Sequence, residues 1–143
     1  MDDLDSAIVA QLSADARISV ATLARRLKVA RSTIQARLER LETTGVIAGY
    51  TVKLGEGARQ GRIRATVLLT IEPRAQAAIL TRLKAIPEIE RVHTTSGRVD
   101  LLLLLSAAST SAIDAVLDQI GEMTGVRASE SLIHLSTKFD RAV

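Results

Sequence analysis

The chain has no cysteine, which excludes disulfides, thiolate metal sites and cysteine nucleophiles, so its stability has to come from packing, within one chain or with association between copies added. Aromatic side chains are nearly absent, with Tyr50 and Phe139 alone. Modules that bind single-stranded nucleic acid stack bases on several rings, so that class is disfavoured. No apolar run is long enough to span a bilayer; the longest, Val99 to Leu105, has Asp100 inside it and is of strand length. The opening Met-Asp-Asp-Leu-Asp lacks the basic charge and apolar core of a targeting peptide. A soluble, cytosolic protein with no membrane partner is expected.

What the chain does contain is 143 residues, 47% of them hydrophobic and 24% charged, the composition of a globular protein. Its net charge is only +3, but the charge is unevenly distributed. Residues 1 to 15 carry Asp2, Asp3, Asp5 and Asp15 and no basic group, whereas residues 25 to 40 carry Arg25, Arg26, Lys28, Arg31, Arg37 and Arg40 against Glu39. A short basic segment of this kind is the electrostatic signature of a duplex-binding element.

The periodicity changes between the two halves. Leu4, Ile8 and Leu12 recur at helical spacing, and Asp3 is the expected cap of a first helix. Ser19 is placed to cap a second, short helix ending near Lys28. Ile34, Leu38 and Leu41 mark a third, from about Arg31 to Thr44, stopped by Gly45 in a left-handed cap. Residues 46 to 54 then alternate as a strand, and the glycines of residues 55 to 61 read as a linker. Residues 1 to 54 are therefore expected to form one domain and residues 62 to 143 a second. In the second, strands are expected at 62 to 72, 89 to 96, 99 to 106 and 126 to 138, with helices at 74 to 86 and 109 to 123. The order is βαββαβ, so the fold class is α+β: an N-terminal winged/helix-turn-helix domain followed by a ferredoxin-like domain of strand order 4-1-3-2.

Leu101 to Leu105 are five leucines in succession, and a strand of that composition cannot present one solvated face. In a ferredoxin-like sheet helices cover one face only. The other must be covered by a second copy of the sheet, or by the tail or the linker strand of the same chain; a homo-oligomer is the simpler solution.

Leu4-Asp5, Leu23-Ala24, Arg37-Leu38-x-Arg40-Leu41-Glu42-x-x-Gly45-Val46-Ile47-x-Gly49-Tyr50, Gly97-x-x-Asp100 and Gly125-Val126 together resemble the Lrp/AsnC, or feast/famine, regulators. The resemblance runs along nearly the whole chain. It implies a helix-turn-helix followed by a ligand-sensing domain that forms dimers and often octamers, with amino acids as the usual effectors. Two positions depart from the family pattern. Ala30 stands where the recognition helix usually has a Ser or Thr cap, leaving Ser32 or solvent to serve, and Leu101 replaces an aromatic.

With Ile34, Leu38 and Leu41 inward, the third helix turns Ser32, Thr33, Gln35, Ala36, Glu39 and Arg40 outward, with Arg31 and Arg37 on its flanks. Ser32, Gln35 and Ala36 are the candidates for base contacts, because Gln pairs with adenine and Ala touches a thymine methyl. Thr33 belongs to the same DNA-facing set. Arg25, Arg26, Arg31, Arg37 and Arg40 are expected on phosphates. Ser96, Gly97, Arg98 and Asp100 form a turn with one carboxylate for an ammonium group and Arg98 or backbone amides for a carboxylate. The resemblance places an effector near this turn, at a junction between dimers, partly against Ile133 and His134. His93 and His134 fall on opposite edge strands with no third ligand, so neither a metal site nor a catalytic one is expected. The expected protein is not an enzyme and needs no cofactor. It is a sequence-specific regulator of transcription that binds double-stranded DNA and responds to a small metabolite. The alternatives are an architectural DNA-binding protein and a tetrapyrrole decarboxylase of related fold, which would call for more His residues.

Overall fold

The computed structural model describes residues 1–59 and 61–142. Gln60, in the expected linker, and Val143, at the expected end of the second domain, lie outside the described residues. The chain divides into two compact units, Met1–Lys53 with the last residues from Arg141, and Leu54–Asp140.

In the first unit, α1 (Asp3–Ala14), α2 (Val20–Leu27) and α3 (Arg31–Thr43) close around Ile8, Leu23, Ile34 and Leu41, all essentially buried. The cap of α1 is Asp2 rather than Asp3. Asp2 Oδ1 accepts the Asp5 N–H at 2.9 Å and Asp5 Oδ2 accepts the Asp2 N–H at 3.3 Å, a reciprocal arrangement that Asp3 could make only with Ser6. Ser19 caps α2 through the Thr22 N–H at 3.0 Å, and Lys28 ends it in the left-handed region, φ 58°. The turn into α3 is short. Ala30 offers only its carbonyl, to the N–H groups of Thr33 and Ile34, and Ser32 makes no capping bond. Gly45, at φ +79°, closes α3, and the Ile47 N–H returns to the Leu41 carbonyl at 2.9 Å.

Among the described residues, 46 to 54 do not form the expected strand. Alternating side chains favour an extended backbone, but a strand requires a ladder partner, and the described residues supply none. Val46, Tyr50, Val52 and Leu54 remain more than half exposed. Tyr50 ties the segment back to α3 by donating to Glu42 Oε1 at 3.0 Å.

The second unit opens with α4 (Glu56–Arg59), a single helical turn where an irregular linker was expected. Next come β1 (Ile63–Ile71), a 3₁₀ turn (Pro73–Ala75), α5 (Gln76–Lys84), β2 (Ile89–Thr94), β3 (Leu101–Ala107), α6 (Thr110–Gly121) and β4 (Val126–Ile133). The sheet is antiparallel in the order β2-β3-β1-β4, as the βαββαβ pattern predicts. Ala65, Val67 and Leu69 of β1 and Leu101, Leu103 and Leu105 of β3 are buried in one core with Ile79 and Leu83 of α5 and Ile113, Val116 and Ile120 of α6. β4 stops at Ile133, short of the expected Lys138. Its last ladder bond, His134 N–H to Arg64 O at 2.9 Å, uses up the length of β1, and beyond it there is no strand to pair with. The β2 to β3 turn is also wider than expected, spanning residues 95 to 100.

Candidate functional site

The exposed surface of α3 carries Arg31, Ser32, Gln35, Ala36 and Arg40, and the last turn of α2 adds Arg25 and Arg26. Arg25, Lys28 and Arg31 are exposed and in no ion pair among the described residues. Arg26 donates to Gln11 Oε1 at 2.9 Å, which steadies it against α1. Thr33, expected on the outward side, is half-buried, because it shares the flank of α3 with Arg37, four residues on.

That flank faces acidic groups. Arg37 Nη1 is bonded to Asp2 and reaches Asp5 Oδ1 at 3.2 Å, while Arg40 Nη2 reaches Asp5 Oδ2 at 2.6 Å. Arg37 and Arg40, expected on phosphates, therefore serve as fastenings between α3 and the start of α1. Asp5 is 1% exposed, yet fully partnered: one backbone N–H and two guanidinium groups meet its carboxylate. Burial pushes its pKa up, but the bonds from Asp2, Arg37 and Arg40 outweigh that and leave it lowered. Asp2 is held down to about 2, first by the Arg37 bond and then by the Asp5 N–H, and the same pairing raises Arg37. Neither carboxylate titrates near neutral pH. Sequence reasoning counted these charges without pairing them, since the partners lie more than thirty residues apart; the Asp2-x-x-Asp5 spacing of a capping box was the available signal.

The six residues expected around the effector separate into two groups. At the turn, Asp100 Oδ2 accepts the Ile71 N–H at 2.9 Å, at the point where the β1 to β4 register slips between Thr70 and Ile71. Thr95 N–H donates to Asp100 O, and Gly97 sits at φ +113°. Both terminal nitrogens of Arg98 point to Glu130 Oε2 at 3.3 Å, so a carboxylate of this chain already occupies the group expected to receive the ligand's. Ser96 and Gly97 are exposed. Ile133 and His134 lie at the far end of the sheet: Ile133 pairs with Ala65, whereas Leu101 pairs with Leu69. Four residues of strand put the groups about 13 Å apart. His134 Nε2 is 2.7 Å from Thr66 Oγ1. One chain does not bring these six side chains together. Among the described residues no three His, Cys, Asp or Glu cluster as metal ligands, and no helix is long and apolar enough to cross a membrane.

Comparison with known proteins bears on both units. The AsnC-type helix-turn-helix domain matches residues 1–42, and the Lrp/AsnC ligand binding domain matches residues 64–143. The chain belongs to the Lrp/AsnC family. Its relatives are helix-turn-helix transcriptional regulators with a ligand-binding domain. One is LrpA of Mycobacterium tuberculosis, 31% identical over 134 residues, covering 93% of this chain and 89% of the relative. The solved structure of Escherichia coli AsnC has the same fold, with a TM-score of 0.89 at 22% identity over 100% of this chain and 97% of that one. The Neisseria meningitidis regulator NMB0573, solved as a complex with L-methionine, matches with a TM-score of 0.87 at 22% identity, covering 98% and 93%. In this Lrp/AsnC chain, then, α2 and α3 fall inside the helix-turn-helix match and the Gly97 turn inside the ligand-binding match.

Proposed function

We propose that this Lrp/AsnC chain is a non-enzymatic, sequence-specific regulator of transcription in the cytosol, working as a dimer or a larger assembly. The observation that carries this reading is the exposed face of α3: Ser32, Gln35 and Ala36 stand clear of the core, flanked by Arg25 and Arg31, which are in no ion pair among the described residues. Short polar and apolar side chains of this kind read base edges in a major groove, while flanking cations anchor to phosphates. The test uses a duplex selected by the protein from a random pool, and a scrambled duplex of the same length. Gln35→Ala is expected to cost about 1 to 3 kcal/mol on the selected site and to relax preference at one base pair. Arg25→Ala is expected to weaken both duplexes alike and to flatten the salt dependence by roughly one unit. Equal loss on both duplexes for Gln35→Ala would remove it from the readout. No preference for the selected duplex in the wild type would favour an architectural protein instead.

The effector is proposed to be an amino acid bound near the Gly97 turn. Asp100 keeps one carboxylate oxygen beyond the one it gives to Ile71, and Ser96 and Gly97 present exposed backbone. Since Ile133 and His134 lie at the far end of the sheet, a site using both groups would need a second copy of the chain. Titration calorimetry should begin with methionine, the ligand in the Neisseria structure, and continue through the other amino acids. Asp100→Asn retains an acceptor for the Ile71 N–H and removes the charge, so it is expected to weaken binding at least tenfold without unfolding the protein. Unchanged affinity would exclude the turn from the site.

A further inference from the structure

Of the six basic groups between residues 25 and 40, the two on one flank of α3 are bound to α1. Arg37 is held by Asp2 and Asp5, and Arg40 by Asp5. These contacts have a cost for a DNA-binding surface, because a guanidinium committed to a carboxylate no longer releases counterions from a phosphate backbone. Burying hydrocarbon would fasten α1 to α3 without neutralising any cation. The chain does this with Ile8, Ile34 and Leu41 and adds aspartates as well, with Arg37 half-buried and Arg40 about half exposed, so both guanidinium groups lie at the surface and within a side chain's swing of solvent.

We propose that Asp2 and Asp5 determine specificity by withholding Arg37 and Arg40 from the phosphate backbone, which lowers sequence-independent affinity and leaves discrimination to the exposed face of α3. The inference rests on the DNA-binding reading above. It makes the two aspartates positioning residues: they touch no base and no phosphate, and they act through two arginines of the recognition helix.

The experiment measures the affinity of the full chain for a random-sequence duplex and for the selected duplex between 50 and 200 mM salt. The main variant is Asp2→Asn. Asparagine is as good a helix cap as aspartate, so the start of α1 survives while the shorter of the two ion pairs holding Arg37 is lost, leaving only the 3.2 Å contact to Asp5; buried Asp5 need not be changed. Random-duplex affinity is expected to rise, with a salt slope steeper by roughly 0.9 for each arginine that reaches a phosphate. Over a fourfold change in salt this adds about a threefold effect. The ratio of selected to random affinity should fall. Two controls separate release of Arg37 from simple removal of negative charge. Asp3 is exposed and in no ion pair among the described residues, and Asp3→Asn should leave the slope near the wild-type value. In an Arg37→Ala background, Asp2→Asn should add nothing. The proposal is overturned if Asp2→Asn, with a wild-type circular dichroism spectrum, leaves the slope unchanged. It is equally overturned if Asp3→Asn steepens the slope as much, or if the effect persists without Arg37. A wild type that binds no duplex even at 50 mM salt would overturn the DNA-binding reading itself, a result distinct from binding with an unaltered slope.

Discussion

Leu102→Glu is expected to leave the chain folded and monomeric, and to lower its affinity for a two-half-site operator by about 10² to 10⁴. The argument begins with register. Leu102 pairs with His93 on one side and Leu68 on the other, and Leu68 pairs with Glu130. The next row runs Arg91, Leu104, Thr66, Leu132. The sheet face turned away from the core therefore has Leu68, Leu102 and Leu104 on its two central strands beside Thr66, with Leu132 on one edge strand and His93, Arg91 and Glu130 at the rim, a mostly apolar centre with a mostly polar rim as in a protein interface. Leu68, Leu102 and Leu104 are half-buried within one chain, so a carboxylate at 102 still reaches water in the monomer. Pressed against a second sheet it would be an unpaired buried charge, which costs several kcal/mol or excludes the partner. Sedimentation at micromolar concentration gives the assembly state, and a titration against single and double half-site duplexes gives the DNA effect. A dimeric Leu102→Glu protein with undiminished operator affinity would show that the assembly uses another surface.

Gly125→Ala should destabilise the chain by about 2 to 5 kcal/mol. Gly125 has φ +97°, a conformation L-residues resist, and a Cβ built there would lie 2.3 Å from the Cβ of Ala75. Ala75 has no flexible end to move aside. The backbone on both sides is also fixed, because the Gly125 carbonyl accepts the Glu72 N–H at 2.7 Å. Gly97→Ala is the natural comparison: its φ is +113° but nothing lies within 4 Å of the added atom, so it should lose about 1 to 2 kcal/mol from backbone strain alone. Urea titrations at one fixed protomer concentration are needed, since association adds to apparent stability. Equal losses for the two variants would mean that the approach to Ala75 contributes nothing.

The elements of the second unit were legible because each rests on a local signal. Leu101 to Leu105 read as a strand covered on both faces, of which the described chain buries Leu101, Leu103 and Leu105 and leaves Leu102 and Leu104 half-buried; Pro73 and Ser109 mark helix starts, and the order βαββαβ leaves few sheet topologies. The misread regions depend on partners that sequence does not display. Residues 46 to 54 have the alternation of a strand, but alternation specifies side-chain direction and not the neighbour that completes a ladder. β4 was drawn five residues too long because its end is set by where β1 begins, more than sixty residues earlier in the chain. The basic face of α3 was visible as charge. Its division into Arg31, in no ion pair among the described residues, and Arg37 and Arg40, fastened to Asp2 and Asp5, appears only once α1 is placed against it. The Gly97 turn was recognisable, but the role of Asp100 in holding the Ile71 N–H was not, because the slip in register it accommodates belongs to a different pair of strands.

β1 lies between β3 and β4, and its partners come later in the chain: Ala65 pairs with Leu105 and with Ile133. Pairings so distant in sequence close slowly. On the ribosome, at roughly 5 to 20 residues per second, β1 is synthesised several seconds before β4 exists. During that interval Val67, Leu69 and Ile71 have neither a completed sheet nor α6 to cover them. Ile8, Leu23, Ile34 and Leu41 of the first unit are packed by residues that all lie between Leu4 and Ile47. A nascent chain thus has the apolar core of its helix-turn-helix in place while the sheet is unfinished, and chaperones that bind extended apolar segments should find their target at β1.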